Sequence, residues 1–203
     1  TALLALIVPF CGFAEAGPAG LKHYICSKTS EKIKIDGIFD EFSWGIARRV
    51  GDFERILSDY PDIERHTEAS LLWDEENLYV SFSCQDPEMW TTMTVEDTTG
   101  LPTEEVAEVF IDPDGDGKNY LELEVNPLNV IFDLKVITTS PWQVDTDWDI
   151  VGLETSVMPF GTVNDPDDTD TGWNVEIAIP WKAFGDIAAS VHVPPHEGDQ
   201  WRL

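Results

Sequence analysis

Positive charge is scarce in this chain: 12 Lys and Arg stand against 39 Asp and Glu, a formal net charge of −27 over 203 residues. A surface that acidic repels phosphate backbones and anionic lipid, which argues against nucleic-acid and membrane-surface roles. No apolar run reaches the ~20 residues that span a bilayer. The four histidines, His23, His66, His192 and His196, show no metal-ligand spacing. Neither a nucleophile elbow nor a Gly-rich phosphate loop occurs. Glycoside hydrolysis needs two carboxylates at a set separation, and among 39 acids no pair stands out. These absences point away from catalysis within the chain.

Cysteine is also sparse, at three. Cys11 falls in the apolar segment 2–13, which is followed by Ala14-Glu15-Ala16, the small-x-small pattern of a signal-peptidase site. Residues 1–16 are therefore expected to be a leader that has lost its basic first residues, with a buried N-terminal strand or helix as the alternative. Export to the periplasm or outside the cell follows from that reading. Cys26 and Cys84 then remain, and in an exported chain they are expected either to pair as a disulfide or to lie buried as thiols on adjacent strands.

Hydrophobic residues make up 42% of the chain, enough for one globular domain. Residues 17–23 form a Gly/Pro linker, and residues 24–203 the domain. Period-two alternation dominates that domain. Ala107, Val109 and Ile111 share one face of an extended segment, with Val106, Glu108, Phe110 and Asp112 on the other. After the turn Asp112-Pro113-Asp114-Gly115-Asp116-Gly117, Leu121, Leu123 and Val125 share a face opposite Tyr120, Glu122, Glu124 and Asn126. A hairpin follows, apolar on one side and acidic on the other.

Further strands are expected over 21–27, 33–35, 68–73, 78–85, 129–137, 153–158, 160–163 and 173–180, with a start of another at 199–203. A short helix over 41–49 has Phe42, Trp44 and Ile46 as its apolar side. Residues 53–62, 88–102 and 138–149 read as loops. Many short strands separated by Gly, Pro and Asp predict an all-β fold, an antiparallel, jelly-roll-like β-sandwich with short peripheral helices. Residues 199–203 read as a strand cut short, so the domain is expected to continue past Leu203.

Of eight tryptophans, Trp44, Trp73, Trp173, Trp181 and Trp201 fall in strand or helix patterns and read as core. Trp90, Trp142 and Trp148 lie in long loops, where an indole face is free either to stack on a sugar ring or to pack on the end of the sandwich. Glu108, Glu122, Glu124 and Asn126 would supply hydrogen bonds to hydroxyls, or else form a solvated sheet face. Asp112, Asp114 and Asp116, with Asn119, offer oxygen ligands in a tight loop that suits calcium, though a plain acidic turn reads as well. The cluster Asp165, Asp167, Asp168 and Asp170 is less regular.

One set of motifs recurs in order. It begins with Ile33-x-Ile35-Asp36-Gly37-x-x-Asp40-Glu41-x-x-Trp44 and Leu78-Tyr79-Val80-x-Phe82-x-Cys84-x-Asp86-Pro87. Glu108-Val109-Phe110-Ile111-Asp112-Pro113 and Tyr120-x-Glu122-x-Glu124-Val125-Asn126-Pro127 follow. Gly172-Trp173-x-Val175-Glu176-x-Ala178-Ile179-Pro180-Trp181 and Gly198-Asp199-x-Trp201-Arg202 complete it. Together they resemble the family 9 carbohydrate-binding modules, in particular the single-domain, family 9-like branch. The resemblance implies a β-sandwich that binds poly- or oligosaccharide, often beside polysaccharide-degrading enzymes, with calcium in some members.

It also implies, for xylanase-associated members, two tryptophans clamping a terminal sugar beside a glutamate and an arginine. Glu108 matches that glutamate. Leu101 and Pro102 stand where the first tryptophan is expected, the arginine position reads Glu124, and the second tryptophan would fall beyond Leu203. The competing readings are part of a glycoside hydrolase, or a haem-binding electron-transfer sandwich with Met89 or Met93 and His66 as nominated ligands.

Overall fold

The computed structural model describes residues 22–51, 53, 65–188 and 191–203. The expected leader, Cys11, most of the linker and most of the 53–62 loop lie outside the described residues. In chain order the strands are β1 (Ser27–Lys28), β2 (Arg49–Val50), β3 (Thr67–Trp73), β4 (Asn77–Gln85) and β5 (Ala107–Ile111). They continue as β6 (Lys118–Val125), β7 (Ile131–Thr139), β8 (Trp142–Asp145), β9 (Glu154–Phe160) and β10 (Gly172–Pro180). One helix, α1 (Phe42–Ile46), and two 3-10 turns, Leu101–Thr103 and Trp181–Asp186, complete the described elements.

The strands form two sheets. One runs β1-β3-β4-β10-β9 with β2 also paired to β3, and the other is the meander β5-β6-β7-β8. All pairs are antiparallel except β1 with β3. The apolar face read from the hairpin packs inward. Ala107, Val109, Ile111, Leu121, Leu123 and Val125 meet Ala69, Leu71, Val80, Phe82, Val175 and Ile177 between the sheets. Each fully buried aliphatic side chain of this kind contributes about 1.5–3 kcal/mol. At one end of the core Trp201 stands edge-on to Trp181 and Phe184, at centroid distances of 5.8 and 5.0 Å. The expected strand at 199–203 is reduced to a bridge, in which Asp112 and Arg202 exchange backbone hydrogen bonds of 2.8 and 2.9 Å.

The outer face of the larger sheet is held differently. Glu176 of β10 is fully buried there and accepts hydrogen bonds from Asp36 N (2.9 Å), Gly37 N (2.7 Å) and Trp44 Nε1 (2.8 Å). Gly37 sits at φ +80°, and a Cβ there would lie 2.8 Å from the Met158 backbone nitrogen, so only glycine lets the segment approach. Residues 33–35, expected as a strand, are consequently an extended cover laid on the sheet.

Other expectations shift. The helix spans Phe42–Ile46 and only Trp44 of its three apolar residues is buried; Phe42 and Ile46 are 73% and 64% exposed. One and a half turns present one side chain to the sheet, and Arg49 leaves to pair with Ser70. Residues 142–145, read as loop, form the edge strand β8, and the two short strands expected at 153–163 are one, β9.

The cysteine pair is not bridged. Cys26 and Cys84 are separate free thiols. Cys26 precedes Ser27, which lies opposite Leu72, while Cys84 lies opposite Thr67 from the other side of β3. Four or five residues of strand, roughly 15 Å, separate the two levels, well beyond the ~7 Å that a disulfide tolerates between Cα atoms. Burial raises both thiols, Cys84 to about 12.

Because three donors converge on Glu176, Glu176→Ala is expected to cost about 3 kcal/mol in urea unfolding, with Glu176→Gln losing less. Equal stability of the alanine variant and the parent would refute this account of the 36–44 segment.

Candidate functional site

The acidic face of the hairpin was expected to be open. In the register of the smaller sheet Glu108 stands opposite Glu124, Phe110 opposite Glu122, and Glu124 opposite Phe132. Glu108 and Glu124 are nevertheless 2% and 0% exposed. The cover is residues 86–106, a strap that crosses the outer face. Leu101 is fully buried there against Val130, Phe132, Leu134 and Val136, with Met93, Val106, Tyr120 and Val144 around them.

Carboxylates and amides pin the strap. Glu104 accepts from Thr92 N (2.7 Å), Met93 N (3.3 Å) and the hydroxyls of Thr91 and Thr92. Glu105 accepts from Trp90 N at 2.8 Å, and Asp170 from Met89 N at 2.8 Å. Asn126, a candidate sugar ligand, is spent on this structure. Its Nδ2 donates to Thr91 Oγ1 and Met93 O, and its Oδ1 accepts from Leu128 N and Val130 N.

Beneath the strap the carboxylates of Glu108, Glu122 and Glu124 offer oxygens that all lie within 4.8 Å of one another. Three charges cannot share so dry a space cheaply. Burial, then the neighbouring Glu122, pushes Glu124 up to about 8. Burial also raises Glu122. Glu124 is the buried acid that the sequence could not single out, because burial here comes from a strap with no period of its own. Sealed from solvent, Glu108 and Glu124 do not face a partner as the hairpin pattern suggested.

The acidic turn keeps its expected shape. Asp112, Asp114 and Asp116 bring ligand oxygens within 4.8 Å of one another. Asp112 also closes the turn by accepting from Gly115 N and Gly117 N, both at 2.9 Å. Burial raises Asp112, while the Arg202 guanidinium beside Gly115 pulls the other way. Asn119 is exposed, in the left-handed region at φ +46°. In the second acidic cluster Asp170 is buried and accepts from Met89 N and Thr162 N, so it fastens loops.

Two of the three loop tryptophans are open: Trp142 is 60% exposed and Trp90 44%. Trp148 is half-buried against the inter-sheet core, the packing alternative. Trp90 adjoins Thr91, which is bonded to Asn126 just past the end of β6. Trp142 pairs with Thr139, next to Thr138, which lies opposite Lys118 at the start of β6. The eight residues of β6 span roughly 25 Å, so these indoles do not clamp one sugar ring between them.

The structure also shows clefts that the sequence did not suggest. One of about 350 Å³, on the outer face of the larger sheet, is lined by His66, Glu68, Ser83, Gln85, Asn174 and Phe160. Of the nominated haem ligands, Met89 is packed in the inter-sheet core and Met93 lies against Gly100, while His66 is exposed beside Glu68.

The comparisons agree with this architecture. The sequence model of the family described as "Carbohydrate family 9 binding domain-like" matches residues 35–193. The chain thus belongs to that family, whose domains are non-catalytic carbohydrate-binding modules. Among solved structures it is similar to a family 9 carbohydrate-binding module from Caldicellulosiruptor kristjanssonii in complex with cellotriose. Identity is 21% and the TM-score 0.53, over 78% of this chain and 67% of that one. The same organism's module in complex with glucose aligns at 20% identity and a TM-score of 0.49, over 76% and 67%. No curated protein matches.

Glu124 gives a pH prediction. Its folded value, about 8, lies above the ordinary value of 4.5. The folded chain therefore keeps a proton that the unfolded chain releases between those limits, and stability falls as pH rises through that window. Asp133, raised by burial to about 6, and Asp86, raised by burial and Glu105 to about 7, act in the same direction. Each pH unit is worth at most about 1.4 kcal/mol per group. Urea midpoints are expected to be higher at pH 5 than at pH 8.5, and Glu124→Gln, which copies the protonated acid, should flatten the difference. A parent midpoint that rises over this range would contradict the assignment.

Proposed function

We propose that the chain captures oligo- or polysaccharide on its exposed aromatic faces, with Trp142 and Trp90 as stacking platforms, and works outside the cytoplasm beside enzymes that degrade the same glycan. The observation that carries this reading is the exposure of Trp142 on the edge strand β8 in a chain of this family. An indole there offers a flat apolar surface of the size of a sugar ring, with a polar edge. The relative crystallised with cellotriose makes β-glucan oligosaccharides the first ligands to try.

Titration of cellotriose and a panel of soluble glycans, followed by calorimetry and tryptophan fluorescence, is the direct test. Binding is expected with quenched emission, and Trp142→Ala should weaken it by about tenfold, or roughly 1.4 kcal/mol. Silence from every glycan would defeat the function. Undiminished binding by Trp142→Ala and Trp90→Ala would defeat the assigned surface and direct attention to the cleft beside Phe160.

Structural calcium belongs to the same reading. Asp112, Asp114, Asp116 and Asn119 carry the hard oxygen donors that calcium prefers, and the ion would relieve the repulsion of three clustered carboxylates. Calcium over EDTA should raise the melting temperature by a few degrees, and Asp114→Asn should abolish the gain; an unchanged melting curve in the parent would remove calcium from the account.

A further inference from the structure

Against the expectation that the histidines carry no ligand spacing, His192 and His196 stand at H-x3-H, and the fold brings both to one carboxylate. His192, His196 and Asp199 each present a ligand atom within 4.8 Å of the other two. We propose that these three residues form a binding site for a divalent transition-metal ion of the zinc class.

The geometry is close to what such an ion requires. Around tetrahedral zinc, with bonds near 2.0–2.1 Å, neighbouring donor atoms lie about 3.3 Å apart. His192 Nδ1 and Asp199 Oδ2 are already 3.2 Å apart. The rings of His192 and His196 stack at a centroid distance of 3.9 Å and an angle of 27°, with a nitrogen of each within 4.8 Å of the other and of the carboxylate. Asp199 Oδ2 also accepts the backbone N–H of His196 at 2.7 Å, which fixes the carboxylate as an outer-shell bond does in built metal sites.

The loop is organised beforehand. Val191 and Val193 pack against the inter-sheet core and leave His192, between them, facing solvent. Pro194 and Pro195 restrict the backbone up to His196, and Asp199 N donates to His196 O at 3.0 Å to close the turn. Two imidazoles with one carboxylate favour zinc, copper or nickel over calcium, whose partners are oxygens. Three protein ligands leave a position for water, and the net charge of −27 raises the local cation concentration. An ion here would staple the segment that delivers Trp201 to the core and Arg202 to Asp112. It does not depend on the carbohydrate reading.

The experiment is calorimetric titration of the tag-free chain with zinc chloride, since a polyhistidine tag would itself bind the metal. One ion per chain is expected, with a rise in melting temperature. His192→Ala and His196→Ala should each weaken binding by about tenfold or more, while Asp114→Asn at the acidic turn should not. The rings are exposed, so their removal leaves the core intact, and far-UV circular dichroism checks this. Cobalt(II) provides a second readout: a visible absorption band in the parent that is absent from a His192→Ala/His196→Ala variant. No bound zinc, or the same zinc affinity in that double variant, would overturn the proposal.

Discussion

Carboxylates that accept backbone N–H bonds hold this molecule's loops in place. Glu176 fastens the 36–44 segment to the larger sheet; Glu104 and Glu105 tie the strap to itself, and Asp170 ties it to the loop before β10. Asp74 closes the β3–β4 turn through Glu76 N and Asn77 N. Asp133 reaches Ile150 N across the end of the core. A buried hydrogen bond to a charged acceptor, such as Gly37 N to Glu176, is worth about 1.5–3 kcal/mol, comparable with one buried aliphatic side chain. The exposed bonds to Glu104, Glu105 and Asp74 are worth less. Part of the acidic excess is therefore structural, with the sandwich supplying the frame and these acids attaching the covers.

That division explains what the smaller sheet offers a ligand. Leu101 stands where the resemblance calls for a clamping tryptophan, and it is a fully buried plug over Phe132, Leu134 and Val136. Glu124 stands where an arginine is implied, so an acid faces Glu108 in place of a base. The two departures act together. One closes the face and the other removes the countercharge.

Alternation made the frame legible. Leu121, Leu123 and Val125 fell on the core side as read, and in the strand expected over 173–180 Val175, Ile177 and Ile179 lie there too. A period of two identifies residues that share a face but not what lies on top of it. Residues 86–106 have no period, so nothing in Glu108 or Glu124 announced their burial. The apolar side of α1 misled because a helix of five residues turns too little to seat Phe42, Trp44 and Ile46 together. Trp142–Asp145 was too short to be distinguished from loop. His192 and His196 stand at an H-x3-H spacing, but their approach to Asp199 comes from a turn closed by Asp199 N to His196 O, which has no sequence period to announce it.

The surface charge responds to ionic strength and the buried clips do not. A bond such as Gly37 N to Glu176, 2.7 Å long and out of water, lies within the reach of no mobile ion. Repulsion among the exposed acids acts across solvent and fades beyond a Debye length of about 10 Å at 0.1 M salt. Dissolved electrolyte thus removes a cost of folding without loosening the Glu176 clip, and brine is a medium in which that cover stays seated while the repulsion around it fades.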